Sequence, residues 1–332
     1  MYPTINLDWL IPGADISLYF LAIGVGFMLA AWITSQHYQR IGLDRSQTQD
    51  FFIWMLIIGV LGARLMHVIA DGFMLDYVNL CIDPMQFDGK ALRSLEPCIA
   101  NAQCLIEQEN GADIGAICNP EDGLCYAQQD CFRPFKFWAG GLTVYGALIA
   151  SITFAYFYIK RRGWPFAQMI DIAAPSIFLG VAIGRLGCFF AGCCYGDLCD
   201  IDALAIQFPE HSQAYQHHYD MHHEALSQQW SAGVHKSLPI WPTQLISSAY
   251  NFVIFAVGYF IIKPRKSFNG QVILSCALMY GVARFMIEFV RADFRGSAFG
   301  LSTSQLVSLP ILIIVACSMF MLWRKNKAKK ED

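Results

Sequence analysis

The sequence is poor in charged residues. Asp, Glu, Lys and Arg make up 15% of its 332 residues and hydrophobic residues make up 55%, whereas about 25% of an ordinary soluble domain is charged. Such a chain cannot cover a water-exposed surface, so its composition excludes a soluble cytosolic enzyme and favours an integral membrane protein. The net charge of −3 and the lack of a long basic tract argue against nucleic acid as a partner.

Basic residues are absent from the start of the chain, where the first is Arg40. A cleavable signal peptide has a basic region before a short apolar run. We therefore expect the first apolar run to remain in the protein as a membrane span. The sequence also lacks an internal repeat of the kind that many transporters contain.

Long apolar runs are what the sequence does contain. A helix needs about 20 apolar residues to cross the hydrocarbon core, and seven runs approach or exceed that length. The predicted fold is an all-α integral membrane protein with seven transmembrane helices. The predicted spans are 16–34, 51–70, 137–159, 171–195, 243–262, 271–290 and 299–323.

The orientation is predicted from the basic residues between the spans. Short segments after spans one, three and five and the C-terminal tail are rich in Lys and Arg, as at 160–162, whereas the alternate segments hold fewer over greater lengths. We therefore expect a cytoplasmic C-terminus, an N-terminus outside, and two long outer loops, 71–136 and 196–242.

The first outer loop is rich in cysteine. It contains Cys81, Cys98, Cys104, Cys118, Cys125 and Cys131. This composition is typical of a disulfide framework in an oxidising compartment, with the pairing left open. The predicted divisions are spans one and two (1–70), this insertion (71–136), spans three and four (137–195), a His-containing outer loop (196–242), and spans five to seven with the basic tail (243–332).

Span four ends in a run that places an arginine among glycines. Residues 184–196 read Gly-Arg-Leu-Gly-Cys-Phe-Phe-Ala-Gly-Cys-Cys-Tyr-Gly. Ionisable groups within spans are costly and usually mark function, and Arg185 beside accessible backbone N–H groups suits a lipid phosphate. The alternative is that Arg185 only extends to the outer headgroups.

Span six contains a second arginine. Arg284 and Glu288 lie four residues apart, and Glu288 and Arg291 three apart, so each pair shares a helix face, with Tyr280 one turn before Arg284. One interpretation is a structural ion pair. The other is a second phosphate-binding arginine held by Glu288, which with Arg185 forms a cationic pocket toward the outer leaflet.

Span three contains a tyrosine among glycines. Gly140, Gly141 and Gly146 permit close helix packing, whereas the Tyr145 phenol needs a hydrogen-bond partner at that depth. Tyr145 is therefore either a packed, satisfied side chain or a catalytic one.

Taken together, these blocks resemble the prolipoprotein diacylglyceryl transferase family of seven-span bacterial inner-membrane enzymes. The Gly-Arg block at 184–196 is that family's most specific signature, and the Tyr-Gly-x-x-Arg block at 280–291 follows in order. Shorter agreements lie at 62–65, 242–245 and 302–305. The resemblance covers most of the chain except 71–136 and much of 196–240.

The resemblance implies transfer of a diacylglyceryl group from phosphatidylglycerol to the lipobox cysteine of a prolipoprotein, the first step of lipoprotein maturation. It implies a site toward the outer leaflet of the bacterial cytoplasmic (inner) membrane, without metal or cofactor, and we expect a monomer in the lipid bilayer. The implied catalytic residues are Arg185, Arg284, Tyr145 and Glu288. The implied substrate contacts are Gly184, Gly187, Cys188, Gly192, Gly196, Tyr280, Arg291, Gln244 and Arg64.

The chain also departs from the family pattern. Tyr145 stands where the family has a histidine proposed to activate the thiol, and a phenol with a pKa near 10 is a poor base at neutral pH. Further departures are Cys188 and Ala191 in place of asparagines, Cys193 in place of a glutamate, and Ile246-Ser247 in place of Tyr-Glu. The acceptor and the acid–base scheme therefore stay open.

Four cysteines cluster around the signature block: Cys188, Cys193, Cys194 and Cys199. We expect disulfides here, because the outer compartment oxidises thiols. The alternative is a zinc site completed by His217, His218, His222 or His223, since His218 and His222 would share a face of a helix.

Two other functions fit the sequence. One is a paralogous transferase that uses the same lipid pocket with another acceptor, linked to redox chemistry through Cys193 and Cys194. The other is a non-catalytic seven-span binding or transport protein.

Overall fold

The computed structural model describes residues 4–6, 15–70, 72–83, 116–119, 124–127, 129–136, 141–210, 212–231, 233–292, 297–298 and 301–331. The chain divides into two compact units. The first comprises 1–45 with 165–332, and the second comprises 46–164.

In chain order the elements are β1 (Thr4–Asn6), β2 (Asp15–Ser17), α1 (Leu18–Arg40), α2 (Arg45–Ala70), α3 (Met74–Ile82), β3 (Ala116–Asn119), β4 (Leu124–Ala127), α4 (Val144–Arg161), α5 (Phe166–Ala191), α6 (Gln213–Met221), α7 (His223–Ser231), α8 (Thr243–Ala256), α9 (Gln271–Ile287), β5 (Ser297–Ala298), β6 (Leu301–Ser302) and α10 (Thr303–Glu331). The strands form the antiparallel pairs β1–β2, β3–β4 and β5–β6. α8 continues as a π-helical stretch (Val257–Ile262), and α9 as a 3-10 turn (Glu288–Val290).

Six helices in the described part of the chain are long and apolar enough to cross a membrane, which confirms the class of helical membrane protein. They are Leu18–Arg40, Arg45–Ala70, Phe166–Ala191, Thr243–Arg265, Gln271–Val290 and Ser304–Ala328. The predicted third span, 137–159, overlaps α4, which has 18 residues, and residues 137–140 lie outside the described part. The third predicted span, and with it the total of seven spans, therefore stays a prediction.

In the first unit, α5 packs against α1, α8 and α9. α1 and α5 touch through backbone, because a Cβ added at Gly26 would lie 2.7 Å from the Gly180 carbonyl oxygen. On the side of α8 and α9, the buried side chains of Phe178, Ile254 and Val272 pack in one apolar cluster. Small residues on one face of α5 thus allow close packing against α1, and large apolar residues on another face pack against α8 and α9.

A buried carboxylate joins α5 to the start of α9. Asp171 is 1% exposed and accepts hydrogen bonds from the backbone N–H groups of Gly270 (2.8 Å), Val272 (3.0 Å) and Ile273 (3.1 Å). Its carboxylate also pairs with Lys266 at 3.2 Å. A negative charge at a helix N-terminus satisfies otherwise unpaired donors, so Asp171 acts as a cap provided by another helix.

In the second unit, Arg64 of α2 binds three backbone carbonyl oxygens. Its guanidinium donates to Pro134 (2.7 Å), Gly141 (3.0 Å) and Arg133 (2.6 Å) and lies over the ring of Tyr77. Arg64 was predicted to contact substrate. In the structure it fixes the chain before α4, and the substrate contact stays a prediction.

One of the predicted disulfides of the insertion is formed. Cys81 at the end of α3 is bonded to Cys131, with a sequence separation of 50. The backbone pairing of β3 with β4 places Cys118 opposite Cys125. The side chains of Cys118 and Cys125 lie outside the described part of the chain, and so do the whole residues Cys98 and Cys104.

The segment after α5 folds over itself through short bridges and two helices. Backbone bridges join Leu198 and Ile206 to Ile240. The buried His218 of α6 accepts a hydrogen bond at Nδ1 from the N–H of Leu238 at 3.0 Å. α6 ends before His222, so His218 and His222 do not share a helix face as predicted, although their ring centroids are 5.6 Å apart.

Candidate functional site

The signature run begins inside α5 and leaves it at a glycine. α5 ends at Ala191, four residues before the predicted end of span four, because Gly192 adopts a left-handed conformation (φ +65°) that terminates the helix. A Cβ at Gly192 would lie 3.1 Å from the Ser212 Cβ. Cys193 and the three residues after it therefore form a turn at the end of the helix.

The first residues of α8 hold this turn in place. The buried Thr243 donates from Oγ1 to the carbonyl of Cys194 at 2.7 Å, and the buried Gln244 donates from Nε2 to the carbonyl of Cys193 at 2.8 Å. Gln244 Oε1 is buried and has no hydrogen-bond partner among the described residues. Gln244 was predicted to contact substrate, and this oxygen remains available for that role.

Gly196 lies where no side chain fits. It forms a backbone bridge with Arg291, and a Cβ there would lie 2.5 Å from the Trp241 carbonyl oxygen and 2.9 Å from the Thr243 Cγ2. The last glycine of the signature run thus brings the ends of α5, α8 and α9 together.

Arg185 is partly buried in the last two turns of α5. It forms no ion pair and no hydrogen bond with any residue that the structure describes. The groups within its electrostatic range include the cysteines 188 and 194 and the phenols of Tyr250 and Tyr280, and no carboxylate is among them. A guanidinium inside a membrane helix without a counter-ion is costly, which makes Arg185 a candidate for binding an anion.

Arg284 is held by its own helix and by α10. Its guanidinium pairs with the Glu288 carboxylate at 2.7 Å and donates to the Ser304 hydroxyl at 3.0 Å. Glu288 also accepts from the Ser302 hydroxyl at 2.8 Å and lies 4.0 Å from Arg291. The predicted contacts of Glu288 with both arginines are therefore present. Arg284 keeps 11% of its side chain exposed.

Tyr250 of α8 was not predicted from the sequence. Both Arg185 and Arg284 lie within electrostatic range of its phenol, and its ring centroid is 6.2 Å from that of Tyr280. The Tyr250 hydroxyl is buried and has no hydrogen bond of good geometry with any described residue, although Ser247 is close. Like Tyr145, Tyr250 is a tyrosine within an apolar run, and this is the feature of the sequence that could have indicated it.

These four side chains, Arg185, Tyr250, Tyr280 and Arg284, define a two-arginine site in the first unit. Both arginines lie within electrostatic range of Tyr250, and the cationic pocket itself stays a prediction. Phenol and guanidinium groups can only donate hydrogen bonds to an anion, so the site suits an anionic group with several oxygens, such as a phosphate.

Three more of the predicted site residues, Gly184, Gly187 and Tyr145, have the following surroundings. Gly187 packs against α1, since a Cβ there would lie 3.1 Å from the Tyr19 carbonyl oxygen, whereas Gly184 has open space beside it. Tyr145 belongs to the second unit, where it is 71% exposed and has no hydrogen bond with a described residue.

The expected disulfides of the signature block are not formed. Cys188, Cys193, Cys194 and Cys199 are not bonded in disulfides. The Sγ atoms of the first three lie within 4.8 Å of one another, whereas Cys199 donates to the Ile201 carbonyl. The zinc-site alternative with histidines is not supported either, because no histidine in the described part of the chain joins this group.

A cavity of about 350 Å³ adjoins the signature run. Apolar side chains of Phe189, Phe190 and Phe208 line it, together with Gly192 and Ser212.

The fold defines a multi-pass helical membrane protein, and two arginines lie within electrostatic range of Tyr250 in its first unit. The family model of prolipoprotein diacylglyceryl transferases matches residues 8–88 and 111–323. The chain therefore belongs to that family, and the resemblance drawn from its motifs is confirmed.

Curated relatives agree over nearly the whole chain. A phosphatidylglycerol–prolipoprotein diacylglyceryl transferase of Clostridium tetani is 34% identical over 91% of this chain and 91% of its own length. The enzyme of that name from Corynebacterium diphtheriae is 29% identical over 96% and 93%, and that of Finegoldia magna 25% identical over 96% of both chains.

Proposed function

We propose that this protein transfers the diacylglyceryl group of phosphatidylglycerol to the cysteine thiol of a lipobox in prolipoproteins. The observation that carries the proposal is Arg185, an arginine in a membrane helix that has no anionic partner among the described residues. Membership of the family supports the same substrates, because relatives matched over nine-tenths of the chain bear that activity in their names.

The reaction replaces one bond to the glycerol carbon by another. The thiolate sulfur attacks that carbon, the C–O bond to the phosphate breaks, and glycerol phosphate leaves with the bonding electron pair. Negative charge therefore develops on the phosphate oxygens. Preformed cationic donors placed at such oxygens lower the barrier, because they need no reorganisation when the charge appears.

Within this scheme, Arg185 and Arg284 bind the phosphate, and the Tyr250 hydroxyl donates a further hydrogen bond. Glu288 is a positioning residue: its carboxylate fixes the Arg284 guanidinium at 2.7 Å. Arg284 is partly exposed, so some of its N–H groups can donate to a ligand. Arg291 is 2% exposed and places a positive charge beside Gly196.

The thiol of the acceptor must lose a proton, and a free thiol has a pKa of about 8.5. The two arginines raise the thiolate fraction by their charge. Tyr145 stands where the family has a histidine, and its phenol can serve as a hydrogen-bond donor instead of a base. We place the protein in the bacterial cytoplasmic membrane as a seven-span monomer whose site opens toward the outer leaflet, without metal or organic cofactor for the transfer itself.

Reconstitution tests the proposal. The protein in phosphatidylglycerol vesicles is expected to add a diacylglyceryl group to a lipobox peptide, detected as a mass increase, while a peptide with serine in place of cysteine stays unmodified. Arg185→Ala and Arg284→Ala are each expected to lower turnover by about a hundredfold or more, as the loss of one charge-stabilising donor does in other enzymes.

The matched control is Arg265→Ala, which removes an exposed arginine in the same unit, near the end of a span, that donates a hydrogen bond to the Ile261 carbonyl. It should leave turnover unchanged. If Arg185→Ala turns over like the wild type, the two-arginine site is misassigned. An inert wild type in the same vesicles would overturn the activity itself.

A further inference from the structure

Three thiols of the signature run converge on one point. The Sγ atoms of Cys188, Cys193 and Cys194 all lie within 4.8 Å of one another, and none of the three is in a disulfide. Cys188 comes from the last turn of α5, whereas Cys193 and Cys194 come from the turn beyond Gly192. The helix end therefore folds back so that residues five and six positions apart present their sulfur atoms together.

The backbone is arranged to keep this convergence. Cys194 has φ +59° and is the one non-glycine residue with positive φ in the described part of the chain. This conformation is costly for a residue with a Cβ, by about 1–3 kcal/mol, and persists where surrounding contacts enforce it. Here the carbonyls of Cys193 and Cys194 are both fixed by hydrogen bonds from Gln244 and Thr243.

The charge around the thiols is positive. Arg185 lies within electrostatic range of Cys188 and Cys194, and Arg291 within range of Cys194. Cations favour the thiolate form of cysteine, which is the form that binds metals. The two arginines can also balance the charge of an anionic metal–thiolate centre.

We propose that Cys188, Cys193 and Cys194 form a binding site for a soft monovalent metal ion, Cu(I), coordinated by three thiolates. Soft thiolate ligands select Cu(I), zinc or iron–sulfur clusters. Zinc sites are four-coordinate, and no fourth His, Cys, Asp or Glu ligand joins the group among the described residues. A disulfide would use two of the thiols and leave the third, whereas one three-coordinate ion uses all of them.

Binding is a ligand exchange without electron transfer. Three Cu–S bonds form, the three thiol protons leave to solvent, and the ion gives up the ligands that carried it. The centre has a double negative charge, which Arg185 and Arg291 offset. Because Arg185 also belongs to the two-arginine site, metal binding is measured without lipid substrate, so that its failure and the failure of the transferase proposal are separate results.

The test is a titration of the full-length protein, purified without oxygen and with its Cys81–Cys131 disulfide intact, in detergent, with Cu(I) buffered by a colorimetric chelator. The wild type is expected to withdraw one equivalent of Cu(I), and X-ray absorption at the copper edge should show three sulfur neighbours. Cys193→Ser and Cys194→Gly should lose that equivalent. Cys194→Gly is the variant least exposed to misfolding, because glycine adopts φ +59° freely.

Two cysteines serve as matched controls. Cys199→Ser changes a buried thiol of the same segment that lies outside the cluster, and Cys317→Ser changes an exposed one in α10. Both variants should keep the tight equivalent. Retention of Cu(I) by Cys193→Ser, a wild type that binds none, or a wild type that binds Zn(II) but not Cu(I) would each overturn the proposal.

Discussion

Glu288 is the residue that connects the two arginines of span six, since its carboxylate contacts Arg284 and lies 4.0 Å from Arg291. Glu288→Gln keeps the size of the side chain and an acceptor for the Ser302 hydroxyl but removes the charge. If Glu288 positions Arg284 for a phosphate, turnover per folded molecule should fall by about tenfold to a hundredfold, because small displacements of a binding group are costly in rate.

The measurement is turnover in vesicles together with thermal unfolding in detergent. A variant that unfolds at a lower temperature yet keeps the wild-type turnover while folded would show that the ion pair is only structural. This experiment therefore separates the two interpretations that the sequence left open.

The sequence indicates functional residues most clearly where a charged side chain lies within an apolar run, because burying a charge in a membrane is costly. Arg185, Arg284 and Glu288 stand out as charges in apolar runs, and the structure places both arginines near one tyrosine. Tyr250 was missed because a tyrosine in a span is usually packed, and only the burial of its hydroxyl without a good partner distinguishes it. Gln244 and Thr243 were predictable as part of a motif, but their hydrogen bonds to the signature turn depend on the fold.

At the scale of helices, the close contact between α1 and α5 requires a glycine at Gly26 but not at Gly24. A Cβ at Gly26 would meet the Gly180 carbonyl oxygen at 2.7 Å, whereas Gly24, half a turn earlier in α1, has nothing within 4 Å. Gly26→Ala should therefore destabilise the protein by about 1–3 kcal/mol through overpacking.

Gly24→Ala is the matched control and should be neutral or stabilising by up to about 1 kcal/mol, because alanine loses less conformational freedom in a helix. Thermal unfolding in detergent compares the two variants. Equal midpoints would contradict the close packing of α1 on α5.

The segment between α5 and α8 should lose stability in acid. Burial lowers the pKa of His218 to about 4 from its ordinary value of 6.5, with His217 and His222 acting in the same direction and Asp197 opposing them. The unfolded segment takes up this proton near pH 6.5 and the folded one only near pH 4. Stability is therefore fully present above pH 6.5 and is lost as the pH falls toward 4, by about 1.4 kcal/mol per pH unit.

Hydrogen exchange at the Leu238 N–H, which donates to His218, measures this loss after correction for intrinsic rates. His218→Asn keeps an acceptor at that position and should make the protection nearly independent of pH between 4 and 6.5. His235→Asn, at an exposed histidine, should behave like the wild type. A wild type whose protection is constant over this range would contradict the prediction.

The sequence predicts which segments form helices better than it predicts the residues at which those helices end. The apolar runs predicted six of the membrane helices, because length and hydropathy are properties of the sequence alone. The end of α5 was misplaced by four residues, since only the backbone shows that Gly192 is left-handed. The prediction of disulfides among Cys188, Cys193, Cys194 and Cys199 was wrong, because spacing along the chain can indicate that cysteines are close but not whether they are bonded.

At the scale of the whole molecule, the number of spans decides where the two ends lie. Seven spans place the N-terminus and the C-terminus on opposite sides of the membrane, whereas the six helices of full length alone would place them on the same side. The basic residues after spans one, three and five predict seven, with α4 crossing the membrane.

Fusions of a reporter that is active only outside the cytoplasm measure this topology. A fusion after residue 136 should be active, and fusions after Gly163 and at the C-terminus should be inactive. Equal activity after residue 136 and after Gly163 would show that α4 does not cross the membrane.

The central claim is that this chain is a lipid-to-thiol transferase, and complementation tests it most directly. A bacterial cell depleted of its own diacylglyceryl transferase should regain growth when it expresses this protein, and its lipoproteins should shift to the mobility of the lipid-modified form on a gel. Arg185→Ala, expressed at the same level in the membrane, should not restore either. Accumulation of unmodified prolipoprotein in cells that contain the folded wild-type protein would contradict the account.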